Sequence, residues 1–159
     1  MPDISSWTWG LILIVFTTAV HSFGIVLLAL IGERIRDYLR RRGPHFWDAI
    51  GFLMIGVAVM ALSLAVLHGV EAALWAGAYL SLGALDTAAE AMLFSVDSMT
   101  TRGASGLTLH QHWQVMGALE AVAGMLMFGI STAYMFFVMQ INWSAIQARR
   151  LASATALSG

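Results

Sequence analysis

Three long apolar stretches, separated by shorter polar ones, dominate the hydropathy pattern of this chain. Each is long enough to cross a hydrocarbon layer of roughly 30 Å, which takes about 20 helical residues. The stretches cover residues 7–31, about 47–82 and about 113–148. The first has no basic region before it and is too long for the core of a signal peptide, so we expect it to be retained. The pattern predicts an all-α membrane protein with three transmembrane helices.

A shorter helical pattern lies between the second and third stretches. Thr87 and Glu90 have the spacing of a capping box, which predicts a helix from there to about Thr100. At 1.5 Å per residue such a helix is roughly 21 Å long, too short to cross the membrane. A helix that enters and stops must continue into backbone that is buried in protein or lines a water-filled cavity. Small residues, Gly103, Ser105 and Gly106, supply the turn. We therefore predict a re-entrant helix.

The composition excludes most other classes of protein. The chain is 59% hydrophobic and 11% charged, which is too apolar for an ordinary soluble domain. It has no cysteine, so disulfides, iron–sulfur clusters and thiol catalysis are excluded. No Ser/His/acid set, phosphate-binding loop or repeated metal-ligand motif is present, and we predict that the protein is not an enzyme.

The basic residues predict the orientation. All eight are arginine; five lie between Arg34 and Arg42, and Arg149 and Arg150 follow the last stretch. The positive-inside rule places both groups in the cytoplasm, with the N-terminus outside the cell inner (plasma) membrane and the C-terminus cytoplasmic. Beside a membrane span, the run from Arg34 to Arg42 is expected to contact anionic lipids rather than nucleic acid. Charge spacing also predicts that the first helix continues through this run, as far as Gly43.

No linker or internal repeat is visible, so we predict one membrane domain in three consecutive parts. Residues 1–46 form the N-terminal transmembrane helix and Arg-rich segment, residues 47–148 the module with the short helix, and residues 149–159 a cytoplasmic tail.

The loop after the short helix carries a family resemblance. Its sequence is Thr100, Thr101, Arg102, Gly103, Ala104, Ser105 and Gly106. Together with residues 68–76, 94–98, 109–113 and 117–121, this loop resembles the pore module of tetrameric potassium channels, in particular small bacterial channels of the two-transmembrane type. The resemblance covers about residues 47–145. It implies a homotetramer with residues 100–106 as the selectivity filter, residues 116–140 facing the inner cavity, and permeant monovalent ions rather than a bound cofactor.

The loop departs from the family pattern in ways that bear on selectivity. A potassium filter lines the pore axis with backbone carbonyls that replace the water of the ion. Gly103 matches the first family glycine, but Ser105 stands at the second and Ala104 at the anchoring tyrosine. Arg102 replaces an aliphatic residue, and Gly106 stands where the family has a carboxylate. We therefore expect weak or altered selectivity, with cations favoured by the carbonyl end of the short helix. Arg102 side chains facing the axis would instead favour anions.

An arginine at membrane depth needs a partner, because an unpaired charge there is costly. We predict that Arg102 pairs with Asp97, one turn back, and that Glu71 or Glu120 lies nearby in one charge cluster behind the loop. In the related channels the acid at the position of Asp97 contacts a carboxylate after the filter, which Arg102 would replace here.

Several polar or small residues leave alternatives open. His68 and Glu71, with Glu120, have the residue types of a metal site, but this is a single pair; we predict a hydrogen-bonded cluster between helices and no metal. His21 is expected to hydrogen-bond a neighbouring helix. Gly124 and Gly129 permit either close helix packing or a gating hinge.

The function expected from these features is ion conduction through a potassium-channel-like pore with a non-standard filter. A non-conducting membrane scaffold or subunit that keeps the channel fold is the alternative. A transporter or accessory subunit of another oligomeric state is a third reading.

Overall fold

The computed structural model describes residues 4–42, 46–103 and 106–158. Within them all regular secondary structure is helical, without a β-strand, which confirms the prediction of an all-α fold. The helices are α1 (Ile4–Arg42), α2 (Phe46–Ser81), α3 (Ala88–Met99) and α4 (Gln114–Ser158), and a single 3₁₀ turn at Gln111–Trp113 precedes α4.

Three of these helices are long and apolar enough to cross a membrane, as predicted. The candidate spans are Ile4–Tyr38 in α1, Ile50–Ser81 in α2 and Gln114–Ala148 in α4. Large apolar side chains stand exposed along all three, including Phe23, Met54 and Phe136. Exposed apolar area on this scale suits contact with lipid rather than water. The orientation and the particular membrane stay predictions.

The arginine-rich segment after the first apolar stretch is helical, as its charge spacing predicts. α1 continues through it to Arg42, so the helix is longer than the apolar stretch alone. The side chains of Arg34 and Arg41 are exposed. The predicted stop at Gly43 and Pro44 lies outside the described residues.

The chain divides into two compact units by its internal contacts. The first, which we call the α3 unit, comprises Met1–Gly24 and Ala65–Ile130; the second comprises Ile25–Leu64 and Ser131–Gly159. Buried residues of the second unit include Met60, Leu64 and Ile146. The predicted boundaries at residues 46 and 148 stay predictions.

The hydrophobic core lies in the α3 unit. Its members come from α2, α3, α4 and the segments between them: Ala72, Trp75, Ala76, Tyr79, Ala84, Leu85, Ala91, Phe94, Met99, Leu109, Met116, Ala123 and Met127. Trp75 and Tyr79 are fully buried, one turn apart on α2. The edge of the Phe94 ring meets Tyr79, with ring centroids 5.3 Å apart, so α3 is packed directly on α2.

Candidate functional site at the end of the short helix

Thr87 is the N-cap of α3, as its spacing from Glu90 predicts. It has extended backbone (φ −125°, ψ 150°), and its hydroxyl oxygen accepts a hydrogen bond from the backbone N–H of Glu90. The same hydroxyl donates to the Glu90 carboxylate at 2.8 Å. The cap satisfies one of the free N–H groups at the helix start and sets the position from which α3 begins.

α3 and α4 run in the same direction. Ser95 contacts Glu120, and one turn further the backbone of Met99 lies against Gly124. Gly124 is about 15 Å along α4 from Gln114 at 1.5 Å per residue. The 12 residues of α3 therefore end well below the start of α4.

The segment after α3 returns the chain to the beginning of α4. Leu109 is buried and lies against Gly117, near the first turns of α4. Met99 thus lies at the level of Gly124 and Leu109 at the level of Gly117, about two turns nearer to the start of α4.

α3 ends in a Schellman motif that has a threonine where glycine is usual. The backbone N–H of Arg102 donates to the carbonyl of Asp97, and the N–H of Thr101 donates to the carbonyl of Ser98, both at 3.0 Å. Thr101 has φ 56°, in the left-handed region that a β-branched residue rarely adopts. Gly103 follows with φ 88°, so the left-handed conformation recurs two residues later.

An ion pair joins the same two residues that the turn joins. Nη2 of Arg102 lies 2.7 Å from Oδ1 of Asp97. The Asp97 side chain is only 2% exposed, whereas that of Arg102 is 63% exposed. The guanidinium therefore covers a buried carboxylate while part of it stays at the surface of the chain.

Glu120 lies in a buried polar set of its own. The Tyr79 hydroxyl donates to Oε2 of Glu120 at 2.7 Å, and Ser95 Oγ contacts Oε1. Ser95 Oγ also lies 2.8 Å from the carbonyl oxygen of Ala72 on α2. The side chains of Tyr79, Ser95 and Glu120 are all fully buried. Their contacts join α2, α3 and α4 behind the loop.

Glu71 lies between two histidines. Its Oε1 is 2.7 Å from Nδ1 of His21 on α1, and its Oε2 is 3.1 Å from Nδ1 of His68. His21 and Glu71 are fully buried. His21 thus hydrogen-bonds a neighbouring helix, as its position in the first stretch suggests.

The four residues of the predicted charge cluster fall into three sets. Asp97 pairs with Arg102, whereas the hydrogen bonds of Glu120 and Glu71 go to the other partners described above. Sequence reasoning did not assign Tyr79 or Ser95 to the site. A signal for Tyr79 was present, because it shares a face of α2 with Glu71.

The remaining residues of the predicted filter are exposed or lie outside the described residues. Thr100, Thr101, Arg102, Gly103 and Gly106 are exposed. Ala104 and Ser105 lie outside the described residues.

The two glycines proposed as hinges differ in their surroundings. A Cβ on Gly124 would overlap the backbone of Met99, including its carbonyl oxygen, so glycine there permits close approach of α3. A Cβ on Gly129 would meet nothing within 4 Å. α4 is continuous through both positions. The contact at Gly124 favours the packing interpretation there.

Comparison of the chain with protein-family models, curated proteins and solved structures finds no match to any of them.

Proposed function

We propose that this protein is an ion channel of potassium-channel-like architecture with a non-standard filter. It assembles as a homotetramer, α3 is its re-entrant pore helix, and residues 100–106 form the constriction on the central axis. The observation that carries the proposal is an exposed polar loop placed about 15 Å along an apolar helix that is long enough to span a membrane.

The physical argument rests on the cost of exposed backbone in lipid. Non-helical backbone at membrane depth is tolerated only where it is buried in protein or lines a water-filled cavity. Thr100, Thr101 and Gly103 are exposed on the single chain, so other copies or water must cover them. A symmetric assembly around an aqueous axis meets this requirement with no further partner.

The conformation of the loop supports a role in lining a pore. Thr101 and Gly103 have positive φ and Arg102 between them does not, so the backbone alternates in hand. In a channel filter, such alternation lets successive carbonyl groups face the axis, where they replace the water of a permeant ion.

Cations are the favoured permeant ions. The carbonyl end of a helix carries a partial negative charge, and α3 ends at this loop. Arg102 opposes this effect, but its charge is partly compensated by Asp97 at 2.7 Å. Weak cation selectivity is the expected balance.

The alternative is a non-conducting scaffold or subunit that keeps the channel fold. One observation favours it: the Arg102 side chain is 63% exposed at the loop, where several copies would bring positive charges together. The membrane orientation predicted from the arginines, with the N-terminus outside and lipid contact at residues 34–42, belongs to either proposal.

Planar-bilayer recording of the purified protein under a KCl gradient tests the proposal, after chemical cross-linking has established the oligomeric state. A reversal potential nearer to that of potassium than of chloride is the expected result. Arg102→Gln should move it further toward potassium, whereas Arg150→Gln, which changes an exposed arginine late in α4, is the matched control. Silence from folded tetramers would favour the scaffold, and a stable monomer or dimer would overturn both.

A further inference from the structure

The hydrogen-bonded set of His21, His68 and Glu71 contains the donor atoms of a metal site. One ligand atom from each residue can be chosen so that all three lie within 4.8 Å of one another. His68 and Glu71 are three residues apart on α2, and His21 reaches them from α1. His68 and Glu71 alone are too few ligands to predict a metal site. No sequence pattern links His21 to them, so the third ligand is visible only in the structure.

The surroundings hold these side chains in place. His21 and Glu71 are fully buried, and the His68 side chain is 12% exposed. The His68 ring stacks on Phe128 of α4, with centroids 4.3 Å apart and planes 18° from parallel. The His21 and His68 rings lie 5.0 Å apart. Ligands fixed by packing need little reordering when an ion binds.

We infer that His21, His68 and Glu71 bind a divalent transition metal ion of the zinc class. Two imidazoles and one carboxylate form a known protein ligand set for Zn²⁺ and leave a fourth position open. Calcium and magnesium prefer ligand sets made of oxygen. Zn–N and Zn–O distances of about 2.0–2.2 Å place neighbouring donor atoms roughly 3.4 Å apart around a tetrahedral ion. The donor atoms here are 2.7 Å to 4.8 Å apart, so small rotations of the side chains bring them to that spacing.

Charge balance sets the state of the bound site. A divalent ion would take the place of the hydrogen bonds between the imidazoles and the carboxylate, so binding releases protons or selects other tautomers. Two neutral imidazoles and one carboxylate leave a net charge of about +1 on the occupied site, and a hydroxide in the open position would neutralise it. This inference uses α1 and α2 and is independent of the proposed conduction through the loop after α3.

Titration of the full-length purified protein with Co²⁺, after removal of metals with a chelator, tests the inference. We expect one Co²⁺ per chain with the visible absorption bands of a four-coordinate site, displaced by Zn²⁺. His21→Ala and His68→Ala should each weaken binding more than tenfold. Glu71→Gln, which keeps the shape of the side chain, should also weaken it. His110→Ala, at an exposed histidine of the α3 unit, is the matched control and should bind like the parent.

Three results would overturn the inference. The first is a folded parent protein that binds no Co²⁺ at millimolar concentration. The second is binding that persists at parent affinity in the His21→Ala/His68→Ala double variant. The third is an X-ray absorption spectrum of the Zn²⁺-loaded parent that lacks two imidazole ligands. This measurement needs no variant.

Discussion

Arg102 and Asp97 are joined twice, by an ion pair of 2.7 Å between their side chains and by a backbone hydrogen bond of 3.0 Å. The two bonds close the same turn at the end of α3. The side-chain bond places a cation over a carboxylate that is 2% exposed. The conformation of the loop and the burial of a charge behind it are therefore coupled.

The two single substitutions at Asp97 and Arg102 should together lower the free energy of unfolding by more than the double substitution does. Groups within one ion pair show interaction energies of about 0.5–3 kcal/mol, and because the arginine is exposed we expect about 1 kcal/mol here. The measurement is a double-mutant cycle with Asp97→Asn and Arg102→Leu, following the free energy of unfolding in mixed micelles. Arg150→Leu replaces Arg102→Leu in the control cycle and should be additive. Additivity in the first cycle would show that the pair contributes nothing.

Alanine at Gly124 should destabilise the protein, whereas alanine at Gly129 should not. A Cβ at Gly124 would lie 2.7 Å from the Cα of Met99, and backbone cannot move aside as a flexible side chain can. We expect Gly124→Ala to lower the free energy of unfolding by about 1–3 kcal/mol. Gly129→Ala has open space and should stabilise α4 by up to about 1 kcal/mol, because alanine is the better helix former. Equal effects of the two substitutions would contradict the close approach of α3.

Loss of the Tyr79 hydroxyl should destabilise the polar set behind the loop. Tyr79→Phe leaves Oε2 of the buried Glu120 without this donor, and an unsatisfied buried acceptor costs about 1–3 kcal/mol. The phenyl ring keeps the packing against Phe94, so the hydrogen bond alone is tested. Tyr134→Phe, at a half-buried tyrosine of α4, should change the free energy of unfolding much less. A Tyr79→Phe variant as stable as the parent would mean that the bond contributes nothing.

Glycine at position 101 should relieve backbone strain. Thr101 has φ 56° as the residue after the helix cap, where glycine adopts this conformation without steric cost. We expect Thr101→Gly to raise the free energy of unfolding by up to about 1 kcal/mol. Thr108→Gly is the control, since Thr108 is exposed but has no positive φ. It should be neutral or destabilising, because glycine increases the entropy of the unfolded chain. A loss of stability in Thr101→Gly would instead assign the threonine side chain a role in the folded loop.

Local sequence patterns predict the helices well in this chain. Long apolar stretches imply spans because lipid cannot satisfy exposed backbone groups, and the three candidate spans are present. The start of α3 at Thr87 also follows from local chemistry, because the capping bonds join residues three apart. The Asp97–Arg102 pair belongs to the same class, since its partners are one turn from each other.

Contacts between helices could not be predicted in the same way. Glu71 and Glu120 are predicted near Arg102, but the place of a residue along a helix does not specify the direction in which its side chain points. Rotation of α2 and α4 about their axes directs Glu71 to His21 and Glu120 to Tyr79.

Sequence alone thus determined the helical class, the spans and the short helix with its ion-paired end, because each depends on composition or on bonds between near neighbours in the chain. Tertiary structure alone decided the close approach at Gly124 and the meeting of His21 with His68 and Glu71. These contacts join residues far apart in the chain. Their geometry depends on how whole helices pack, which no local pattern of residues encodes.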